Sequence, residues 1–380
     1  MRVCFVSGNI YPLLAGRVDA GIPIIGGAET QQLRIARELT RAGVDVSFVS
    51  EDFGQGFDNE AGGFRVLAYT FGRNKLTQAR TLWRALDCSG ADVLYVRGVP
   101  RFIGWIVLYA VLRRRPLVIG MATNRTVFPR PLSMFSLPLD LAYRWALSRS
   151  AAVIAQTEFQ RRYLAKNYRH AGAVVIRNGS PSSLSRPAEY AARKCAVWIA
   201  TLHPHKGIER LFELASLRPE IPFEIIGAPE RGDRTYYEET MRRAQALANV
   251  RWLGIVPNEN LDQLLSGALA LIHTTLPHPG IPVNIHEGFP NVYLEAWRNG
   301  VPVLTLDTDP DDVICREGLG FHSRSIEEMA RNLDVLCTSP ETWGRMSSSA
   351  IRYFEREHAI ERVGQEYLEL FRRVLVRKGA

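Results

Sequence analysis

The chain holds 380 residues, of which 46% are hydrophobic and 23% charged, so two domains with real cores are expected and a disordered or collagen-like chain is excluded. The net charge of +8 is uneven: residues 1–190 carry 25 Lys/Arg against 13 Asp/Glu, and residues 191–380 carry 22 against 26. A basic first half suits phosphates or an anionic lipid surface, while the lack of aromatic residues interleaved with its arginines argues against nucleic acid as a partner.

Residues 2–7 read as a buried strand and not as a signal peptide, because no charged leader precedes a longer apolar run. Residues 28–42 carry Leu33, Ile35, Ala36 and Leu39 at helical spacing. Short apolar runs follow at 44–50, 93–96, 117–120 and 153–156. The apolar stretch 102–112 stops at Arg113-Arg114-Arg115, short of the roughly 20 residues that span a bilayer, and reads as a core helix. Strands alternating with helices imply βαβ units and a parallel sheet. A Ser- and Pro-rich segment at 178–193 reads as a linker. The alternation then restarts at 196–200, 223–226, 250–252, 270–273 and 301–306, which predicts a second parallel α/β domain, and residues 341–378 read as a charged helical tail. Two such domains joined by one linker are expected to place a cleft between the carboxyl ends of two sheets. The five cysteines (Cys4, Cys88, Cys195, Cys315, Cys337) are scattered and odd in number, which suits a reducing, cytoplasmic setting better than a disulfide scaffold or a zinc ribbon.

The most specific segment runs from Glu287 to Val303, EGFPNVYLEAWRNGVPV. Gly288 permits a tight turn, Pro290 suits a first helical position, and Gly300 is a helix stop. The amides near Pro290–Val292 would form an anion site at the helix start. Glu287 stands before that anion, and Glu295 lies five residues beyond Pro290, about 7.5 Å along the axis. One acid can hold a group on the near side of a diphosphate and the other a hydroxyl pair on the far side. Sugar, diphosphate and ribose have this order.

This segment resembles the Glu-x7-Glu signature of the family-four retaining glycosyltransferases, which have the GT-B fold. Gly26-Gly27-Ala28-Glu29 opening the first helix, Lys206-Gly207 after the first strand of the second domain, Gly227, and Gly254-Ile255-Val256 match in the same order. The resemblance implies an acceptor-binding domain at residues 1–180, a linker at 181–193, a donor-binding domain at 194–359, and a helix at 360–380 packing back on the first domain. It implies Lys206 on the donor diphosphate and Glu287 on the donor sugar as catalytic residues. It further implies Gly27, Gly288, Phe289, Pro290, Asn291 and Val292 close to phosphate or sugar, Glu295 on the ribose, and Gly227, Gly254 and Val256 around the base. The donor would be a UDP- or GDP-linked sugar acting as substrate, with no cofactor and no metal. The acceptor would be a glycan, a lipid-linked or a small-molecule hydroxyl.

Two positions depart from the family. Thr201 stands where an arginine is usual, and the first-domain histidine is absent, the strand end reading Tyr95-Val96-Arg97-Gly98. Arg97, Asn124, Arg125 or His205 could supply a phosphate- or acceptor-side contact instead. Lys206 is one of 5 lysines beside 42 arginines, which suggests that a point charge is wanted there. His203, His205, His273, His278 and His286 cluster only loosely and lack the ligand grouping of a zinc site. Alternative readings are a GT-B-like binding protein that has lost catalysis and a sugar-nucleotide epimerase on the same architecture. The basic first domain, with 102–115 and 131–147, could also rest on an anionic membrane.

Overall fold

The computed structural model describes all residues except 17–25, 73, 171, 184–188, 228–233, 257, 278–284 and 380. The chain divides into two units, Met1–Gly179 with Ile360–Ala380, and Ser180–Ala359.

The first unit is built on eight strands: β1 (Arg2–Val6), β2 (Asp45–Glu51), β3 (Asp58–Ala61), β4 (Phe64–Tyr69), β5 (Val93–Arg97), β6 (Leu117–Gly120), β7 (Ala152–Ala155) and β8 (Val174–Val175). Their order is β3-β4-β2-β1-β5-β6-β7-β8. Every pairing is parallel except β3 with β4. Central strands covered on both faces must be apolar on both, and β1 is buried from Val3 to Val6. The helix Gly27–Arg41 buries Leu33, Ile35, Ala36 and Leu39. The helix Ile360–Gly379 supplies Val363, Tyr367 and Phe371 to the same core, and the Tyr367 hydroxyl lies 3.2 Å from that of Tyr95.

The second unit is a six-stranded sheet of β9 (Cys195–Ile199), β10 (Phe223–Ile226), β11 (Val250–Gly254), β12 (Ala268–His273), β13 (Val303–Thr305) and β14 (Gly320–His322). The order is β11-β10-β9-β12-β13-β14, and all pairs are parallel. Trp198 and Ile225 pack into one face, while Leu294 and Trp297 of the helix Asn291–Arg298 pack into the other.

Two expectations need correction, and one strand stands where no apolar run marks it. That strand is β3, of polar sequence DNEA, paired to β4 at the sheet edge. The expected strand 301–306 contracts to β13 because Val301 and Pro302 lie before it, Val301 N–H donating back to Ala296. The tail is two helices, Pro340–Glu357 and Ile360–Gly379. They break at buried His358, whose carbonyl accepts from Ser180 N–H at 2.9 Å. Among the described residues no helix is long and apolar enough to cross a membrane.

Candidate active site

In the second unit the chain leaves β9 and forms the short turn Pro204–Lys206, closed by Gly207 at φ +65°. A Cβ at Gly207 would stand 2.3 Å from the Thr274 carbonyl oxygen, so only glycine fits. Three further bonds stitch this corner to the end of β12. Thr274 Oγ1 donates to the Lys206 carbonyl at 3.0 Å, Leu276 N–H donates to the His205 carbonyl at 2.7 Å, and Trp198 Nε1 donates to Thr274 Oγ1 at 2.9 Å. Lys206 Nζ thereby reaches Glu287 Oε1 and forms an ion pair with it. The two side chains keep 19% and 14% of their surface exposed, so the pair is shielded yet open to a ligand.

Polar groups at the ends of β12 and β13 stand behind this pair. The buried His273 ring has Nε2 3.1 Å from Thr275 Oγ1, and Nδ1 3.1 Å from the Tyr293 hydroxyl and 3.3 Å from Thr305 Oγ1. Tyr293 donates to the Thr308 carbonyl at 2.7 Å. Burial first, and Lys206 next among the cations, push His273 down to about 4. His205 stacks on His286 at 4.8 Å and lies 4.1 Å from His203. Burial, then Lys206 and the neighbouring imidazoles, push His205 down to about 3. Burial alone would raise the Glu287 carboxyl, but the charge of Lys206, the largest opposing cause, and the hydrogen bond from it hold the group below its ordinary range. The site is thus an ionised acid and a lysine backed by neutral imidazoles.

The helix Asn291–Arg298 begins immediately after this acid, with Pro290 as its cap rather than its first residue. Gly300 takes the left-handed φ of +63° that stops the helix. Gly288 and Phe289 are buried, the Phe289 ring packing 5.9 Å from Trp297, while Asn291 and Val292 are half-buried at the helix start. Glu295 is turned inward: its Oε2 lies 2.6 Å from Arg298, which also reaches Asp262 at 2.7 Å, and Ser180 Oγ donates to its Oε1 at 3.4 Å. The two acids of the spacing therefore stand in different surroundings, one on a lysine and one in an arginine network.

In the first unit a cavity of about 350 Å³ is lined by Ser7, Asn9, Glu29, Glu51, Arg97 and Phe102, among others. Arg97 is half-buried and donates to Asn178 Oδ1 at 2.5 Å. Burial raises the Glu29 carboxyl against the pull of Arg97, and it raises that of Glu51, which accepts from Tyr69 at 3.3 Å. Asn124 accepts from Gln160 at 3.1 Å and the Arg125 guanidinium lies 5.7 Å from the Phe135 ring centre; neither lines this cavity. Gly27 is exposed in the first turn of its helix.

The model of the family described as Glycosyltransferase Family 4 matches residues 25–182, and that of Glycosyl transferases group 1 matches residues 183–353. The chain is a glycosyltransferase of the family-four type. An uncharacterized glycosyltransferase of Haemophilus influenzae is 21% identical over 359 residues, covering 90% of this chain and 95% of that one. Sucrose-phosphate synthase of Thermosynechococcus elongatus superposes with a TM-score of 0.78 at 15% identity, with 99% of each chain covered. HepE of Anabaena, solved with UDP and glucose, superposes with a TM-score of 0.75 at 18% identity, covering 98% of this chain and 99% of that one. These likenesses show the fold of the glycosyltransferase, two parallel-sheet α/β domains in the GT-B architecture.

The remaining expected positions of the glycosyltransferase spread along its second sheet. A Cβ at Gly227 would stand 1.9 Å from the Ala200 carbonyl oxygen, and Gly227 N–H donates to the Gly254 carbonyl at 2.9 Å, so these two strand ends are held together. Gly254 has φ +72° and Thr201 is half-buried. Val256 lines a cavity of about 680 Å³ with Leu253, Ile255 and Leu264; neither Lys206 nor Glu287 lines it. His278 lies outside the described residues. Spacing missed Thr275, Tyr293 and Thr305; for the two threonines the signal was a polar residue at the end of an apolar strand run, whereas Tyr293 sits within the helix Asn291–Arg298. Of the loosely clustered histidines, His203, His205 and His286 come into ring contact. Among the described residues Asp309, Cys315 and His322 bring possible metal-ligand atoms within 4.8 Å of one another. Asp309 is engaged there as a cap, accepting from Ile314 N–H at 2.8 Å and Cys315 N–H at 3.2 Å. All five cysteines are free thiols.

Proposed function

We propose that the enzyme moves a sugar, with retention of anomeric configuration, from a UDP- or GDP-linked donor to a hydroxyl of a glycan, lipid-linked or small-molecule acceptor. The observation that carries this reading is the Lys206–Glu287 pair standing directly before the helix Asn291–Arg298. When a donor binds, its diphosphate takes Lys206 and the helix start, and Glu287 turns to the sugar hydroxyls. The anomeric C–O bond to the diphosphate breaks as the acceptor oxygen bonds to the same face, and the acceptor proton passes to the departing diphosphate. Gly27, Gly288, Phe289, Pro290, Asn291 and Val292 let backbone approach phosphate or sugar. Glu295 exchanges part of its contact with Arg298 for the ribose hydroxyls, and Gly227, Gly254, Val256 and Thr201 frame the nucleotide. The first-unit cavity, with Arg97 in its wall, takes the acceptor. His205 adds a donor beside Lys206, and Asn124 and Arg125 belong to the acceptor side. No metal or cofactor enters this reading, because the lysine and the helix start supply the positive charge. The free thiols suit a cytoplasmic setting. HepE was solved with UDP-glucose, which makes UDP-glucose the first donor to try.

The test measures transfer and donor binding in Glu287→Gln and Lys206→Ala. Lys206→Ala is expected to weaken donor binding and lower transfer about a hundredfold or more, and Glu287→Gln to lower transfer about a thousandfold with nucleotide binding kept. Unchanged transfer in both variants would sink the assignment. A thermal-shift screen of sugar nucleotides identifies the donor, since a ligand that binds only the folded state raises Tm.

A further inference from the structure

Residues 93–157 contain nine arginines and a single acid, Asp140. Asp140 is buried and its carboxylate accepts from Arg144 Nε at 2.8 Å, so this stretch of the first unit presents no free negative charge. Arg101, Arg130 and Arg149 are exposed, with no carboxylate partner among the described residues.

Large apolar side chains are exposed in the same stretch. Leu132 is 38% exposed, Met134 60%, Leu137 56% and Leu141 58%. Between them Ser133 and Phe135 are buried, so the turn alternates inward and outward and pushes Leu132 and Met134 out as a knuckle. Met134 holds a left-handed φ of +57°, a conformation that a non-glycine side chain rarely adopts. Leu137 and Leu141 are one turn apart on the helix Leu137–Arg149 and share a face, and exposed Arg144 continues that face. The neighbouring helix Ile103–Leu112 packs closely, a Cβ at Gly104 lying 3.4 Å from Ala142 Cβ, and Arg101 stands just before it.

We infer that this knuckle and helix face form a docking surface for an anionic lipid bilayer. The leucines and the methionine enter the headgroup–acyl boundary, and the arginines meet lipid phosphates. Charge selects this occupant. A second copy of the chain would bring arginine against arginine, whereas an anionic bilayer neutralises them. The inference does not depend on which sugar is transferred.

The experiment is co-sedimentation of the full chain with phosphatidylcholine vesicles, with and without phosphatidylglycerol. Binding is expected only with phosphatidylglycerol, and it falls as salt rises. The double variant Leu137→Asp with Leu141→Asp is expected to bind about tenfold less or weaker still. Met134→Gly separates binding from folding: glycine tolerates the positive φ, so its Tm holds, yet vesicle binding falls. Absence of binding to phosphatidylglycerol vesicles at low salt overturns the proposal. So does equal binding by wild type and the double variant, or light scattering that shows a dimer abolished by that variant without any lipid binding.

Discussion

Two carboxylates, one in each unit, sit near the ends of parallel strands and behave oppositely. Glu51 lines the first-unit cavity, and burial raises its carboxyl because only the Tyr69 hydroxyl offsets the loss of water. Glu287 loses water too, yet the Lys206 ammonium, first among the groups that oppose burial, reverses the effect and holds its carboxyl below the usual range. The same fold therefore raises one carboxyl and lowers the other, depending on whether a cation is brought in from a loop beyond the neighbouring strand. In the second unit that loop is the Gly207 corner.

The contrast can be broken most sharply at Glu287. Removing its charge in Glu287→Gln should lower transfer by about a thousandfold, roughly 4 kcal/mol in the barrier, while Glu51→Gln leaves the chemical step within about threefold. Steady-state kinetics on both variants decides this. Next in size is Gly207→Ala, which forces a Cβ against the Thr274 carbonyl at positive φ. It should destabilise the fold by about 3 kcal/mol and misplace Lys206, seen as a fall in the denaturation midpoint together with weaker nucleotide binding.

His273 sharpens the comparison through pH. Its folded value of about 4 lies below the ordinary imidazole value of about 6.5, so the unfolded chain binds the extra proton first. Stability is fully present above about pH 6.5 and falls as pH drops toward 4, by about 3 kcal/mol at most. In His273→Gln the slope of stability against pH over this window should be shallower by up to one proton, measured by urea melts. The smallest effect belongs to Glu51→Gln. Its raised carboxyl value means that charge opposes folding at neutral pH and ceases to do so as pH falls. Replacement should stabilise by less than about 1 kcal/mol at pH 7, with the gain vanishing in acid.

The buried parallel strands were readable because both faces need apolar residues, and β1, β6 and β10 stand where the apolar runs placed them. β3 was not readable: an edge strand of sequence DNEA carries no hydrophobic signal and forms because β4 offers a free ladder. The site divides in the same way. Gly288, Pro290 and Gly300 announce a helix start and stop locally. The Lys206–Glu287 contact joins residues 81 apart and depends on the Thr274 stitching, which no local pattern encodes. Glu295 illustrates a spacing read correctly as helical while its partner, Arg298 three residues on, went unweighed.

The helix Ile360–Gly379 carries Tyr367 and Phe371 into the core that β1 begins, and a Cβ at Gly364 would stand only 2.6 Å from Glu38. During synthesis on the ribosome, the first unit therefore waits with an open hydrophobic socket while the whole of the second is made. That socket closes only when residues 360–380 have followed the second unit out.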